Sequence, residues 1–226
     1  MKIAVVTSSV GANDLLDQCR FDCVDYHAFV DDRLLNHQSI WKTHRFIDFS
    51  MDVDFKNRRN AKIYKILPFL FLPGYDYYIW IDSVHKLAVD PIEIINTYLN
   101  KSDIAVFKHK YRNCIYDEIE EVKKIKYDHI DLLNAQYKYY KSKGYPVNNG
   151  LYEIPCRIQR NSLKIQQMSL SWWEHICKFT SRDQISFPYV CREFDIIPEI
   201  MPGWANEANG NKLMTVSSRS SHKRSN

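Results

Sequence analysis

Tyr75-Asp76-Tyr77-Tyr78-Ile79-Trp80-Ile81-Asp82-Ser83-Val84-His85 decides how this chain is read. Residues 77–81 form an unbroken run of aromatic and β-branched side chains, which suits a central strand covered on both faces. The run ends on a carboxylate, Asp82. Ligands of open α/β sheets bind beyond the carboxyl ends of the strands, so an acid where a buried strand meets solvent is placed for chemistry. The plainer alternative is an Asp that only opens a turn.

Upstream, residues 3–7 read as a buried first strand and residues 8–14 as a polar loop. A helical turn over 15–20 and a second strand over 23–30 follow, ending on Asp31-Asp32. Strand, loop, helix and strand in this order look like the first half of a nucleotide-binding α/β fold. Residues 41–54 read as a long loop or a short strand. Residues 57–67 are good helix formers that stop at Pro68, and Arg58, Lys62 and Lys65 share one face of that helix. Such a stripe is ordinarily a solvated face. Its place just before the strand that carries Asp82 directs part of it toward a phosphorylated ligand.

Downstream, a helix is expected over 91–99 with Pro91 at its start, then a strand over 104–107. A basic turn interleaved with aromatics, Lys108-His109-Lys110-Tyr111-Arg112-Asn113, closes that strand. Residues 115–143 read as one long, mostly helical stretch ended by Gly144. Residues 151–160 read as a strand with Pro155 at an edge or a bulge. Residues 165–179 form a further helix, and 180–187 begin another that stops near Pro188 or soon after it. From Gly203 the composition shifts to Asn, Gly, Ser and Arg. Residues 1–203 therefore read as one domain and 204–226 as a polar tail or linker.

The totals set limits. A length of 226 residues suits one large α/β domain. The formal charge is +4, and residues 217–226 carry Arg219, Lys223 and Arg224 with no acid, so the folded part is nearly neutral. That argues against a nucleic-acid partner and leaves room for a local basic pocket. The six cysteines include no Cys-x-x-Cys pair and read as reduced thiols of a cytoplasmic protein. No run of about 18 apolar residues occurs, so no membrane span is expected. The 15 tyrosines, 11 phenylalanines and 5 tryptophans read mainly as core, with sugar platforms as their other use.

No G-x-S-x-G elbow, G-x-x-x-x-G-K-[ST] loop or G-x-G-x-x-G fingerprint is present, and there are only six glycines. A bound nucleotide diphosphate would have to be met by a divalent cation, by Arg and Lys, or by helix amino ends. Asp82 and His85 offer a carboxylate and an imidazole near one strand end. One Asp with water and phosphate oxygens is an acceptable Mg²⁺ or Mn²⁺ site. Hard cations favour oxygen, so His85 reads alternatively as a local hydrogen-bonding group. Ser181 and Gln184 spell a capping box with Asp183 in its first turn, and the same acid and amide could line a pocket.

Several segments together resemble a known family. They are Arg58-Arg59-Asn60-Ala61-Lys62, Ile79-Trp80-Ile81-Asp82, Asp90-Pro91, and His109 with the run Arg112 to Glu118. Gly150-Leu151-Tyr152-Glu153, Trp173-Glu174 and the run Arg182 to Phe187 complete the set. Their order and spacing are similar to the glycosyltransferase-like group named for plant mucilage and turgor-regulation proteins. The resemblance implies a GT-A, Rossmann-like α/β fold with a mixed, mostly parallel sheet flanked by helices. It implies transfer of a sugar from a nucleotide-sugar donor of the UDP class to a hydroxyl of a glycan or glycoprotein, assisted by Mn²⁺ or Mg²⁺.

By the same likeness Thr7, Ser8 and Asp31 or Asp32 lie near the base and ribose. Arg59 and Lys62 face the diphosphate or donor sugar, and Asp82 with Ser83 takes the metal and diphosphate role. His85 is the candidate second metal ligand, because Val84 stands where Asp-x-Asp has its second acid. His109, Arg112, Glu153 and Trp173 would hold the sugars. Asp183 and Gln184 would sit near the anomeric carbon, as in retaining enzymes. Plant members look membrane-anchored, so this chain is more similar to a bacterial or large-virus member, or to one domain of a protein continuing past Asn226. The competing readings are a metal-dependent hydrolase or nuclease, and a non-catalytic carbohydrate-binding module.

Overall fold

The computed structural model describes residues 1–11, 15, 17–22, 24–36, 39–52, 54–206 and 210–216. The Tyr-Tyr-Ile-Trp-Ile run is a strand, β4 (Tyr77–Ile81), buried from Tyr78 onward. Before it come β1 (Ile3–Ser9), β2 (Val24–Val30), β3 (Lys42–Arg45), α1 (Lys56–Ile66) and the short α2 (Pro68–Phe71). After it come β5 (His85–Leu87), α3 (Pro91–Tyr98), β6 (Ile104–Lys108), α4 (Ile115–Lys124) and α5 (Ile130–Ser142). The chain continues through β7 (Tyr152–Arg160), α6 (Leu163–Lys178), α7 (Asp183–Glu193), β8 (Glu199–Met201) and β9 (Met214–Val216).

Seven strands form one sheet in the order β3-β2-β1-β4-β7-β6-β8. All neighbours pair parallel except β7, which runs antiparallel to both β4 and β6. β1 alternates between two cores. Ile3 and Val5 pack with Ile94 and Ile95 of α3, whereas Ala4 and Val6 pack with Tyr64 of α1. Helices α4 to α7 extend the α1 side around Trp172, Met168 and Phe187. Every strand of the main sheet between its edges is thus covered on both faces, which is why these strands read as apolar runs rather than alternations.

Two local expectations change and two open ones are resolved. Pro155 lies in a central strand, and the register against β6 jumps between Ala105 and Phe107, so Pro155 occupies a bulge and not an edge. The 115–143 stretch is two helices broken where Lys126 takes a φ of 50°. α7 runs through Pro188 and ends soon after it, at Glu193. Past Gly203 the folded chain goes on: Ala205, Leu213 and Met214 are buried, and β9 pairs antiparallel with β5.

Candidate active site

Because β7 is antiparallel, its amino end meets the carboxyl ends of β1, β4 and β6 at one edge of the sheet. The chain lays β2 and β3 on one side of β1 and then returns to place β4 on the other. The strand order therefore reverses between β1 and β4, the position at which open α/β sheets leave a crevice. Asp82 stands at that point. Its carboxylate is 41% exposed, and Oδ1 accepts from the Trp80 indole at 2.7 Å.

Beside it lies a buried charge cluster. Asp183, the first residue of α7, receives Lys62 Nζ at 2.8 Å and Lys65 Nζ at 2.7 Å on Oδ2, and Lys65 Nζ also stands 3.8 Å from Asp82 Oδ1. Burial alone would raise the Asp183 carboxyl; the two ammonium groups outweigh it and hold it well below the usual carboxylate range. Arg157 joins from β7, with NH2 donating to the carbonyl of Lys65 and the guanidinium lying over the Trp172 ring. Burial pulls its pKa down to about 9, partly offset by Asp183. Three cations thus surround two carboxylates, a net positive environment suited to a phosphate. The helical stripe supplied the signal for Lys65; no local signal pointed to Arg157.

Asp183 is 2% exposed, and both lysines approach the same oxygen, Oδ2, so the carboxylate anchors them. Gln184 follows it with Oε1 lacking a hydrogen-bond partner. The capping box does not form: Ser181 gives both its N–H and its hydroxyl to Asp128 Oδ2, at 2.8 and 2.6 Å, and α7 has no side-chain cap.

Other predicted residues divide. Thr7 and Ser8 lie buried at the end of β1, Thr7 Oγ1 without a partner and Ser8 Oγ donating to the Ala61 carbonyl. Asp31 Oδ2 accepts from the Gly11 N–H at 2.8 Å, tethering the loop after β1, while Asp32 is 67% exposed and paired with Arg45. Arg59 does not face the cleft. It pairs with Asp52 at 3.0 Å and donates to the Ile176 and Phe179 carbonyls, closing the carboxyl end of α6. Trp173 packs edge-on against Phe49 and serves the α6 wall.

His109 and Arg112 meet around a residue that sequence reasoning left without a role. Glu118 is fully buried; Oε2 takes Arg112 Nε at 2.7 Å, and Oε1 takes Arg182 at 2.8 and 3.0 Å. His109 Nδ1 accepts from the backbone N–H groups of Tyr111 and Arg112, and Nε2 stands 3.4 Å from Arg112 NH2 and 3.8 Å from Glu118. Arg182 carries this group to the very start of α7, next to Asp183.

The turn Asp82–His85 is closed by the His85 N–H donating to the Asp82 carbonyl at 2.9 Å, with Ser83 half-buried within it. The His85 ring is 3% exposed and neither nitrogen has a hydrogen-bond partner, although the Ala205 backbone lies close to it. Burial lowers its pKa, so the ring is neutral with a free lone pair. Among the described residues no three His, Cys, Asp or Glu side chains converge on one point. The Asp82 carboxylate is part-exposed, while the His85 ring beside it is closed from solvent. Glu153 completes the edge. The backbone of Lys110 and Ala205 and the side chain of Asn206 hold its carboxylate, while Oε2 has no partner.

Residues 15–205, most of the chain, match the family described as TOD1/MUCI70, glycosyltransferase-like domain. The chain belongs to this family. The Arabidopsis thaliana TOD1/MUCI70 protein named probable hexosyltransferase MUCI70 is 30% identical over 193 residues, covering 75% of this chain and 32% of that protein. The Arabidopsis thaliana protein named alkaline ceramidase TOD1 is 23% identical over 195 residues, covering 75% of this chain and 42% of its own length. The chain thus spans less than half of these TOD1/MUCI70 relatives. The crystal structure of apo mouse xyloside xylosyltransferase 1 superposes with a TM-score of 0.54 at 10% identity, over 96% of this chain and 97% of that one. That likeness shows the GT-A fold in this TOD1/MUCI70 domain. Among its described residues no helix is long and apolar enough to cross a membrane.

Proposed function

We propose that this chain moves a sugar from a nucleotide-sugar donor of the UDP class to a hydroxyl of a glycan or glycoprotein. The observation that carries the reading is the Lys62–Asp183–Lys65 cluster beside Asp82, at the point where the strand order reverses. Lys62 and Lys65, held by one buried carboxylate, present fixed positive charge where a leaving diphosphate gathers negative charge. Preorganised charge of this kind acts without reorganisation during the reaction.

Thr7, Ser8 and Asp31 line the base and ribose end, and Arg112 and Arg182 border the sugar end. Asp82 and His85 would hold a Mn²⁺ or Mg²⁺ ion. Bound there, the ion would supply Lewis-acid neutralisation of the diphosphate oxygens. The stereochemical course is read from the anomer of the first product, and Asp183 and Glu153 are the two buried carboxylates at this edge that bear on it.

The test is calorimetric titration of UDP and UDP-hexoses with and without Mn²⁺, followed by release of UDP in the presence of oligosaccharides. Binding that weakens at least 10-fold in Lys65→Met, and turnover that drops about 100-fold in Asp82→Ala, are expected. The relative named as a ceramidase supplies the rival outcome. Release of fatty acid from ceramide with no binding of UDP would replace the transferase reading.

A further inference from the structure

Glu153 is a further buried carboxylate at this edge, held by hydrogen bonds and acted on electrostatically by Arg182. Asp183 is shared by two lysines and Glu118 by two arginines. Glu153 is 6% exposed, is held by the backbone of Lys110 and Ala205 and by Asn206, and keeps Oε2 unpartnered. A buried carboxylate oxygen without a donor costs free energy in the resting protein, and such an oxygen is a natural acceptor for an incoming O–H.

Its neighbours bear on what that O–H belongs to. Lys110 lies over the rings of Tyr111 at 5.1 Å and Trp204 at 5.9 Å, and these rings are 73% and 37% exposed. Two exposed aromatic rings that flank the side chain of Lys110, whose backbone holds the buried acid, offer flat apolar faces to a sugar ring. The Ala205 backbone is shared: it holds Glu153 and also lies against the His85 ring. Glu153 is thus linked through Ala205 to His85, three residues after Asp82.

We infer that Glu153 is the catalytic base that takes the proton of the acceptor hydroxyl, and that Tyr111 and Trp204 form the platform on which the acceptor sugar lies. The inference rests on the transferase reading and deepens it. As the acceptor O–H proton passes to Glu153 Oε2, the acceptor oxygen bonds to the anomeric carbon of the donor. The bond from that carbon to the β-phosphate oxygen breaks, and the nucleoside diphosphate departs with the electron pair. Attack from the face opposite the leaving group inverts the anomeric centre.

The experiment uses the full chain with UDP-glucose, UDP-galactose, UDP-xylose and UDP-N-acetylglucosamine as donors and a set of methyl glycosides and oligosaccharides as acceptors. Glu153→Gln should lower kcat by about 10²- to 10⁴-fold, the range typical of a lost general base. Its UDP affinity, read by calorimetry, should stay within about 2-fold. Residual activity of Glu153→Gln should lose the acidic limb of the wild-type pH profile, which a packing defect would not remove. Trp204→Ala should raise KM for acceptor more than it lowers kcat. Proton NMR of the first product should show inversion. A Glu153→Gln enzyme with more than a third of wild-type kcat, or a retained anomer, overturns the inference while leaving UDP binding and the transferase reading intact. Absence of UDP binding in the wild type overturns both.

Discussion

Lys65 Nζ and Asp183 Oδ2 meet at 2.7 Å although the two side chains, 3% and 4% exposed, come from helices more than a hundred residues apart in sequence. A buried ion pair is costly to break from one side, because the survivor is left charged in a poorly solvating medium.

Lys65→Met should therefore lower stability by about 3–5 kcal/mol, read as a shift in the urea midpoint. The sign of the pH dependence follows from the depressed Asp183 carboxyl. Its contribution is fully present above the ordinary carboxylate pKa near 4 and is lost as pH falls toward the folded value. Asp183→Asn should flatten the acid limb of the stability curve below about pH 4. An unchanged limb would place the acid sensitivity elsewhere.

Arg59 separates a structural from a ligand-binding role. It closes the carboxyl end of α6 through the Ile176 and Phe179 carbonyls. Arg59→Met should cost about 2–4 kcal/mol in denaturant titration, while the affinity for UDP is unchanged. A UDP affinity that drops 10-fold at full occupancy of the folded state would return Arg59 to the cleft.

Glu118 holds two arginines at once, and Glu118→Gln would leave both guanidinium groups facing a neutral amide. A loss of about 3 kcal/mol is expected, with a raised acceptor KM as Arg112 and Arg182 lose their fixed positions. Thermal unfolding and steady-state kinetics read the two effects separately.

His27 supplies a second pH response, remote from the cleft. Tyr75 gives its hydroxyl proton to Asp25 at 2.8 Å, so His27 Nε2 must donate to that hydroxyl and His27 Nδ1 must accept from His44 Nε2 at 2.9 Å. Burial first and then His44 push the His27 pKa down to about 4; Asp25 opposes them and Lys42 adds the smallest downward push. The neutral ring's contribution is present above the ordinary histidine value near 6.5 and fades as pH falls toward 4. A decline of the order of 2 kcal/mol across that window is expected. It should be smaller in His27→Gln, as measured by urea titration at pH 7 and pH 5.

Sequence periodicity and residue type determined the elements themselves. The Tyr-Tyr-Ile-Trp-Ile run could only be a doubly covered strand, Asp82 had to fall at its end, and Arg58, Lys62 and Lys65 had to share a helical face, because these follow from φ/ψ preference and side-chain spacing along a few residues. The same logic located α3 at Pro91 and β6 at Ile104, and the ordered motifs gave the family. Tertiary structure alone decided which charges met. Asp183 found Lys62 and Lys65, Glu118 found Arg112 and Arg182, Arg59 turned to the end of α6, and Glu153 was left with a vacant oxygen. Those outcomes depend on which helices pack over which end of the sheet, and electrostatic pairing across sixty to a hundred and twenty residues leaves no trace in local composition.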